Sequence, residues 1–395
     1  MTYDSEALRA SQDIGRRDAL RFLASASTAL LGGLSGAQTL AATPADLPRL
    51  QRGINLTHWF EYEQGQAVSV GEMRMLHQLG LDHVRIPVDP VVGGWRPESG
   101  AVLRFLPALR LAIEQGLSAG LDVVVDLHLE PGTKQHVENN ALAEVALISL
   151  WSLLARSLAD LPQGRVAFEL FNEPQYYGRQ APRWPALQLR LLHALRAHAP
   201  NHLALLSGNE GGSLKGLKQL PLVSDAALAY VFHYYDPFLF THQGAHWLDT
   251  RYTTAGLYRG VRYPAQFQAV APARLTQPHP RAAQEIAQYL NDDWGSQRIR
   301  ADMDAAGQYA KKHGVRVVCN EFGAIRANVD VPSRYRWMND VRSALEANGM
   351  GWTLWDYTDI FGITQESAQL NKTGMRTLEP AAAQALGLGK TSVAR

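Results

Sequence analysis

Eight short runs of apolar, β-branched or aromatic residues recur beyond residue 50, at 52–56, 82–87, 121–128, 166–172, 203–207, 229–233, 315–320 and 351–355. Amphipathic segments of helix length separate them, near 70–79, 102–119, 139–160, 183–199, 297–313 and 333–348, with a short piece at 214–219. The first of these opens with the capping box Ser69-Val-Gly-Glu72. Strict alternation of strand and helix, repeated this often, predicts an α/β fold of the (β/α)8 TIM-barrel type, whose working groups gather at the carboxyl ends of the strands. An open doubly wound sheet would need a glycine-rich phosphate loop after an early strand. The chain contains neither GxGxxG nor GxxxxGK, and Gly208-Asn-Glu-Gly-Gly212 lacks the lysine and the spacing, so it reads as a turn into a short helix.

The 395 residues, 46% hydrophobic and 19% charged, leave room for one such barrel with a large core. A formal net charge of +1 without a long Lys/Arg run gives no electrostatic reason to expect nucleic acid or an acidic surface, so the natural ligand is neutral. The single cysteine, Cys319, forbids an internal disulfide and any CxxC metal site, and it sits in an apolar strand as a core thiol. Residues 1–42 read as a twin-arginine-type signal peptide. Gly15-Arg16-Arg17-Asp18 precedes an Ala/Leu/Gly/Ser-rich stretch from Phe22 to Leu40, and small residues lead to Pro44. The competing reading, a membrane anchor, sits badly with the small-residue content and with Arg21. Residues 43–395 are then one catalytic domain with a long insertion at about 236–296, monomeric, off the membrane once the signal is removed, and periplasmic or secreted. The tail from Gly387 to Arg395 has the composition of a fraying end.

Two glutamates dominate the strand ends. Glu173 follows Val166-Ala-Phe-Glu-Leu-Phe-Asn and precedes Pro174, while Glu321 follows Val315-Arg-Val-Val-Cys-Asn and precedes Phe322-Gly323. A carboxylate at the mouth of a buried strand is costly unless it has work to do, and two suggest paired acid chemistry. The other strand ends supply Arg85 in Val84-Arg-Ile-Pro87, His128 in Asp126-Leu-His128, Asn172, His233 and Tyr235 in His233-Tyr-Tyr235, and Trp355. In a barrel all of these share one rim.

Taken together, Asn-Glu-Pro on the fourth strand, His-x-Tyr on the sixth, Glu-Phe-Gly on the seventh and Trp on the eighth resemble the clan A retaining glycosidases, and specifically glycoside hydrolase family 5. Gly53-Ile-Asn-Leu and Val84-Arg-Ile-Pro87 add to the likeness, which spans about residues 52–356. The resemblance implies a retaining β-glycoside hydrolase with Glu173 as acid/base, Glu321 as nucleophile, no cofactor and no metal. It further implies that Arg85 and Tyr235 serve Glu321, that Asn172 binds the 2-hydroxyl, that His128 and His233 bind hydroxyls or orient carboxylates, and that Trp355 floors the site. Retention requires the carboxyls about 5–5.5 Å apart, and opposed strands of a closed ring can bring together residues so distant in sequence. Glu173 should be raised in pKa by a dry setting and a neighbouring like charge.

Among rival acids, Glu169 lies deeper on the strand of Glu173 and reads as a structural ligand of buried polar groups, while Asp126 and Glu130 orient neighbours or line the cleft. The insertion begins Asp236-Pro-Phe-Leu-Phe-Thr-His-Gln-Gly-Ala-His-Trp247 and carries Tyr252, Tyr258, Tyr263 and Phe267, so it should wall one side of an open cleft. Trp247 and Trp59 are the proposed sugar platforms, with Trp95 and Trp184 as lesser candidates. The substrate implied by family likeness is β-glucan, cleaved as by an endo-β-1,4-glucanase, with β-mannanase or β-1,3-glucanase as alternatives. Two readings of other classes are a metal-dependent barrel hydrolase on Asp126, His128 and His233, and a non-catalytic glycan-binding protein. The first lacks a His-x-His pair on strand one.

Overall fold

The computed structural model describes residues 47–63, 65–97, 103–270, 273–365 and 375–389; the segment expected to be a signal peptide, 1–42, and residues 390–395 of the tail lie outside them. The eight runs become one closed parallel barrel: β1 (Arg52–Asn55), β2 (His83–Val88), β3 (Asp122–Leu127), β4 (Val166–Glu169), β5 (Leu203–Ser207), β6 (Leu228–Tyr234), β7 (Val317–Phe322) and β8 (Gly351–Leu354). Each strand pairs with its successor, and β8 closes on β1 with Arg52 beside Trp352 and Ile54 beside Leu354.

Side chains alternate along a strand, so every second residue enters the barrel. Leu50, Val124, Ala167, Leu205, Val231 and Val318 form an apolar plug at the amino-terminal end. Two residues further along the strands from members of that plug come Asp126, Glu169, Ser207, His233 and Asn320, all buried. The interior therefore changes from apolar to polar within one pleat, just below the mouth.

The helices, beginning with α1 (Val70–Gln78) and α2 (Leu106–Ser118), lie outside, and in places they depart from the sequence reading. The helix expected over 139–160 is α4 (Ala141–Leu158), and a helix absent from that reading, α3 (Pro131–Asn139), precedes it, the two divided at Asn140, whose side chain accepts from the Leu142 N–H at 2.9 Å. The signals for α3 were present: Glu130 caps it by accepting from the Gly132 and Thr133 N–H groups, and Pro131 occupies its first turn. Glu130 is thus a helix cap and not a lining residue of the cleft. The insertion also carries structure of its own, an antiparallel pair Tyr258–Arg259 with Arg274–Leu275 and a helix Ala282–Asn291. Helix α4 is long and apolar enough to cross a membrane. It instead buries Leu147, Leu150, Trp151, Leu154 and Leu158, at about 1.5–3 kcal/mol for each large side chain, and Trp151 donates its indole N–H to the Leu170 carbonyl at 2.8 Å.

Candidate active site

Strand β4 ends at Glu169, earlier than the sequence suggests, and Asn172 and Glu173 follow on irregular backbone. Glu173 stands in the left-handed region at φ 49°, a conformation non-glycine residues rarely adopt, which turns its side chain back over the barrel mouth. Glu321 lies within β7, where the ladder slips: Phe232 faces Cys319, but His233 faces Glu321. Asn320 is the extra residue of this bulge. The bulge lets consecutive side chains both serve the interior, since Asn320 donates to Glu169 at 2.8 Å while Glu321 reaches Arg85.

Arg85, fully buried, organises the floor. A guanidinium has five N–H donors, and all five are used. Nε and Nη2 grip Glu169 at 2.6 and 3.0 Å, Nη1 donates to Asn55 at 2.8 Å and to Glu321 at 2.7 Å, and Nη2 also donates to Asn172 at 3.0 Å. The expected structural role of Glu169 is what the geometry displays. Asp126 lies 2.9 Å from Nη2, and burial pushes its carboxyl up to about 7. Glu321 additionally accepts from the Tyr235 hydroxyl at 2.9 Å and lies 3.3 Å from His233 Nδ1. A carboxylate, which can only accept, fits this surround of donors. Burial, reinforced by the Glu321 charge, pushes the Tyr235 hydroxyl well above its ordinary value, so it stays a donor.

Glu173 differs. Its side chain is 31% exposed against 4% for Glu321. Its Oε1 meets His233 Nδ1 at 3.0 Å, and its Oε2 lies 3.8 Å from the buried ammonium of Lys134 on α3. Burial raises the Glu173 carboxyl, but the His233 hydrogen bond and the Lys134 charge outweigh it and hold the group below the usual carboxylate range. This reverses the expected rise. His233 moves the other way: burial lowers it, and the Glu321 and Glu173 carboxylates more than compensate. Both shifts draw a proton held between the pair toward His233 in the free site. Oxygens of Glu173 and Glu321 and the His233 nitrogen all lie within 4.8 Å of one another.

These groups face a cavity of about 330 Å³. His128 and Trp355 line it with their rings stacked at 5.6 Å, and Trp247 from the insertion closes one side, 48% exposed. Trp59 does not line it; the ring stacks on Phe60 at 5.3 Å and packs against the core. Trp95 and Trp184 are fully buried, as are Tyr258 and Tyr263, so most of the candidate aromatics pack the loops to the barrel. Residues that the sequence reading passed over also line the cavity: His58, Glu61, Asp359 and His242. Burial pushes the Glu61 carboxyl up, and it accepts from the His58 N–H at 2.7 Å. Lys134 was hidden with the unrecognised helix α3. The alternative metal set is not assembled, because His128 spends one ring nitrogen on Asp126 and the other on Asn172, while His233 faces the two glutamates.

The cellulase model, glycosyl hydrolase family 5, matches residues 49–360. The chain belongs to glycosyl hydrolase family 5. It is therefore a glycoside hydrolase, and the family-5 match covers every barrel strand and both glutamates. Endoglucanase C of Acetivibrio thermocellus is 28% identical over 324 residues, 77% of this chain and 90% of its own length. Endoglucanase 3 of Fibrobacter succinogenes is 25% identical over 343 residues, 80% of this chain and 50% of that protein. Among solved structures, a hyperthermophilic endo-β-1,4-glucanase in complex with substrate superposes with a TM-score of 0.68 at 24% identity, covering 86% of this chain and 97% of that one. Thermotoga maritima Cel5A in complex with mannotriose gives 0.68 at 23% identity, covering 85% and 97%; these likenesses concern the fold.

Proposed function

We propose that this family-5 enzyme is an endo-β-1,4-glucanase that cleaves with retention, Glu173 acting as acid/base and Glu321 as nucleophile. One observation carries the mechanism: an oxygen of each carboxylate lies within 4.8 Å of the other, near the roughly 5–5.5 Å of double displacement and short of the roughly 6.5–9.5 Å needed to admit a water for inversion. In the first step a Glu321 oxygen bonds to the anomeric carbon. The bond from that carbon to the bridging oxygen breaks, and Glu173 delivers its proton to the departing oxygen. That proton reaches Glu173 from His233 across their 3.0 Å contact before the bond breaks, so Glu173 is left as the carboxylate that the second step needs. In the second step water attacks the same carbon, Glu173 takes the water proton, and Glu321 leaves as a carboxylate. Asn172 Nδ2 donates to the 2-hydroxyl, and Trp355 offers its face to the sugar.

The β-1,4-glucan assignment is supported by relatives named endoglucanases, one matched over 90% of its length. Residues 1–42 support twin-arginine export to the periplasm or beyond. The test is a hydrolysis panel of carboxymethylcellulose, lichenan, laminarin, mannan and xyloglucan with product lengths read out. Internal cleavage of the first two is expected; activity confined to laminarin or mannan would overturn the substrate and leave the mechanism standing.

A further inference from the structure

Arg85 can only donate hydrogen bonds, and this fixes the polarity of a chain of side chains beside the nucleophile. Its Nη2 donates to Asn172 at 3.0 Å, so the atom of Asn172 facing it is the carbonyl oxygen. The amide nitrogen of Asn172 then faces His128 Nε2 at 3.1 Å and must donate there. His128 Nε2 is therefore a bare acceptor, and the ring proton resides on Nδ1. That proton points at Asp126 Oδ2, 2.8 Å away, and a carboxylate oxygen accepts it. Asp126 and Arg85 are fully buried and Asn172 nearly so, while His128 is 19% exposed where it lines the cavity. Every link depends on the next: were the proton on Nε2, two donors would oppose each other and the Asn172 amide would be pushed out of place. Burial also lowers the His128 pKa, toward the neutral ring this order needs.

We propose that Asp126 is a positioning residue: by holding the His128 proton on Nδ1 it leaves one Asn172 N–H committed to His128 and aims the other at the sugar 2-hydroxyl. The inference rests on the proposed glucanase reading for its kinetic arm alone. It gives the buried acid at the foot of the cleft a part in transition-state recognition without contact with substrate. The closest analogue is the buried aspartate that fixes the histidine tautomer in a Ser-His-Asp triad.

The test has a spectroscopic and a kinetic arm. Long-range proton–nitrogen spectra of the ¹⁵N-labelled enzyme report the tautomer of each histidine, with the His128 signals assigned by their loss in His128→Asn. The Nδ1–H form is expected in the wild type and in Asp126→Asn, because Arg85 Nη2, 2.9 Å from Oδ2, keeps the amide oxygen turned toward His128. Asp126→Leu, which has no acceptor, should show the Nε2–H form or a mixture. The Nε2–H form in the wild type, or an unchanged tautomer in Asp126→Leu, overturns the proposal. The wild-type spectrum decides even where the leucine variant does not fold. Kinetically, kcat/KM is compared for an aryl β-cellobioside and its analogue lacking the 2-hydroxyl at the cleaved glucose. The wild-type penalty for the missing hydroxyl should shrink at least ~10-fold in Asp126→Leu and stay within ~3-fold in Asp126→Asn. Equal slowing of both substrates in Asp126→Leu contradicts the proposal. If the wild type cleaves neither substrate, the glucanase reading fails and the spectra alone judge the clamp.

Discussion

The two glutamates share one cavity but are held by opposite means. Glu321 stands inside a strand, 4% exposed, tied to Arg85 and Tyr235 at 2.7 and 2.9 Å. Glu173 stands on a left-handed turn, 31% exposed, between an imidazole and an ammonium. The first is fixed by a buried network whose central guanidinium has every donor spent, which suits a group that must arrive at one carbon at one angle. The second is controlled by charge near the open edge, which suits a group that must gain and lose a proton in each turnover. The rigid element sets position and the exposed one sets proton affinity.

The sharpest way to separate the two sides is by leaving group. Glu321→Gln should abolish turnover of every substrate, by at least ~10⁴-fold in kcat. Glu173→Ala should lose comparably on glucan yet retain much of its first-step rate on aryl glycosides whose phenolate leaves unprotonated, as read in single-turnover kinetics. Equal losses for both variants on the activated aryl glycoside would erase the distinction.

Next in size is a stability effect confined to the nucleophile side. Arg85→Met strands Asp126, Glu169 and Glu321 without their cation and should cost about 3–5 kcal/mol in denaturant unfolding at pH 7. Burial already raises Asp126 and Glu169, so without Arg85 both take protons as pH falls, and the deficit should shrink on acidification. A deficit that grows toward pH 5 would show that these carboxylates are not the cause.

The smallest effect belongs to Lys134 on the acid side. Its charge helps hold Glu173 low, so Lys134→Met should let the Glu173–His233 pair keep its proton to higher pH. The basic limb of kcat/KM against pH should move up by roughly one unit, with stability little changed. A downward move would contradict the assignment of the shared proton.

Much of this was legible in the sequence because it follows from period and punctuation. The strand runs, Arg85 and Tyr235 lie where period-2 alternation and a barrel must put them, Glu169 took its buried role for the same reason, and the strand-end placement of both glutamates followed from the Pro and Gly that close their runs. What escaped depends on local breaks in that period. The bulge at Asn320 and the positive φ of Glu173 are set by neighbouring strands and loops, and no residue code announces them. Lys134 was lost with α3, whose Glu130 cap and Pro131 were visible but unread. Trp59 looked like a platform because aromatics on rims often are; a loop side chain's direction is decided by what packs against it, here Phe60.

The central claim, that the two carboxylates act in double displacement, is tested most directly by the anomeric form of the first product. Proton NMR of fresh cello-oligosaccharide hydrolysate, recorded before mutarotation, should show the β anomer appearing first. Initial release of the α anomer would mean inversion and would contradict the account.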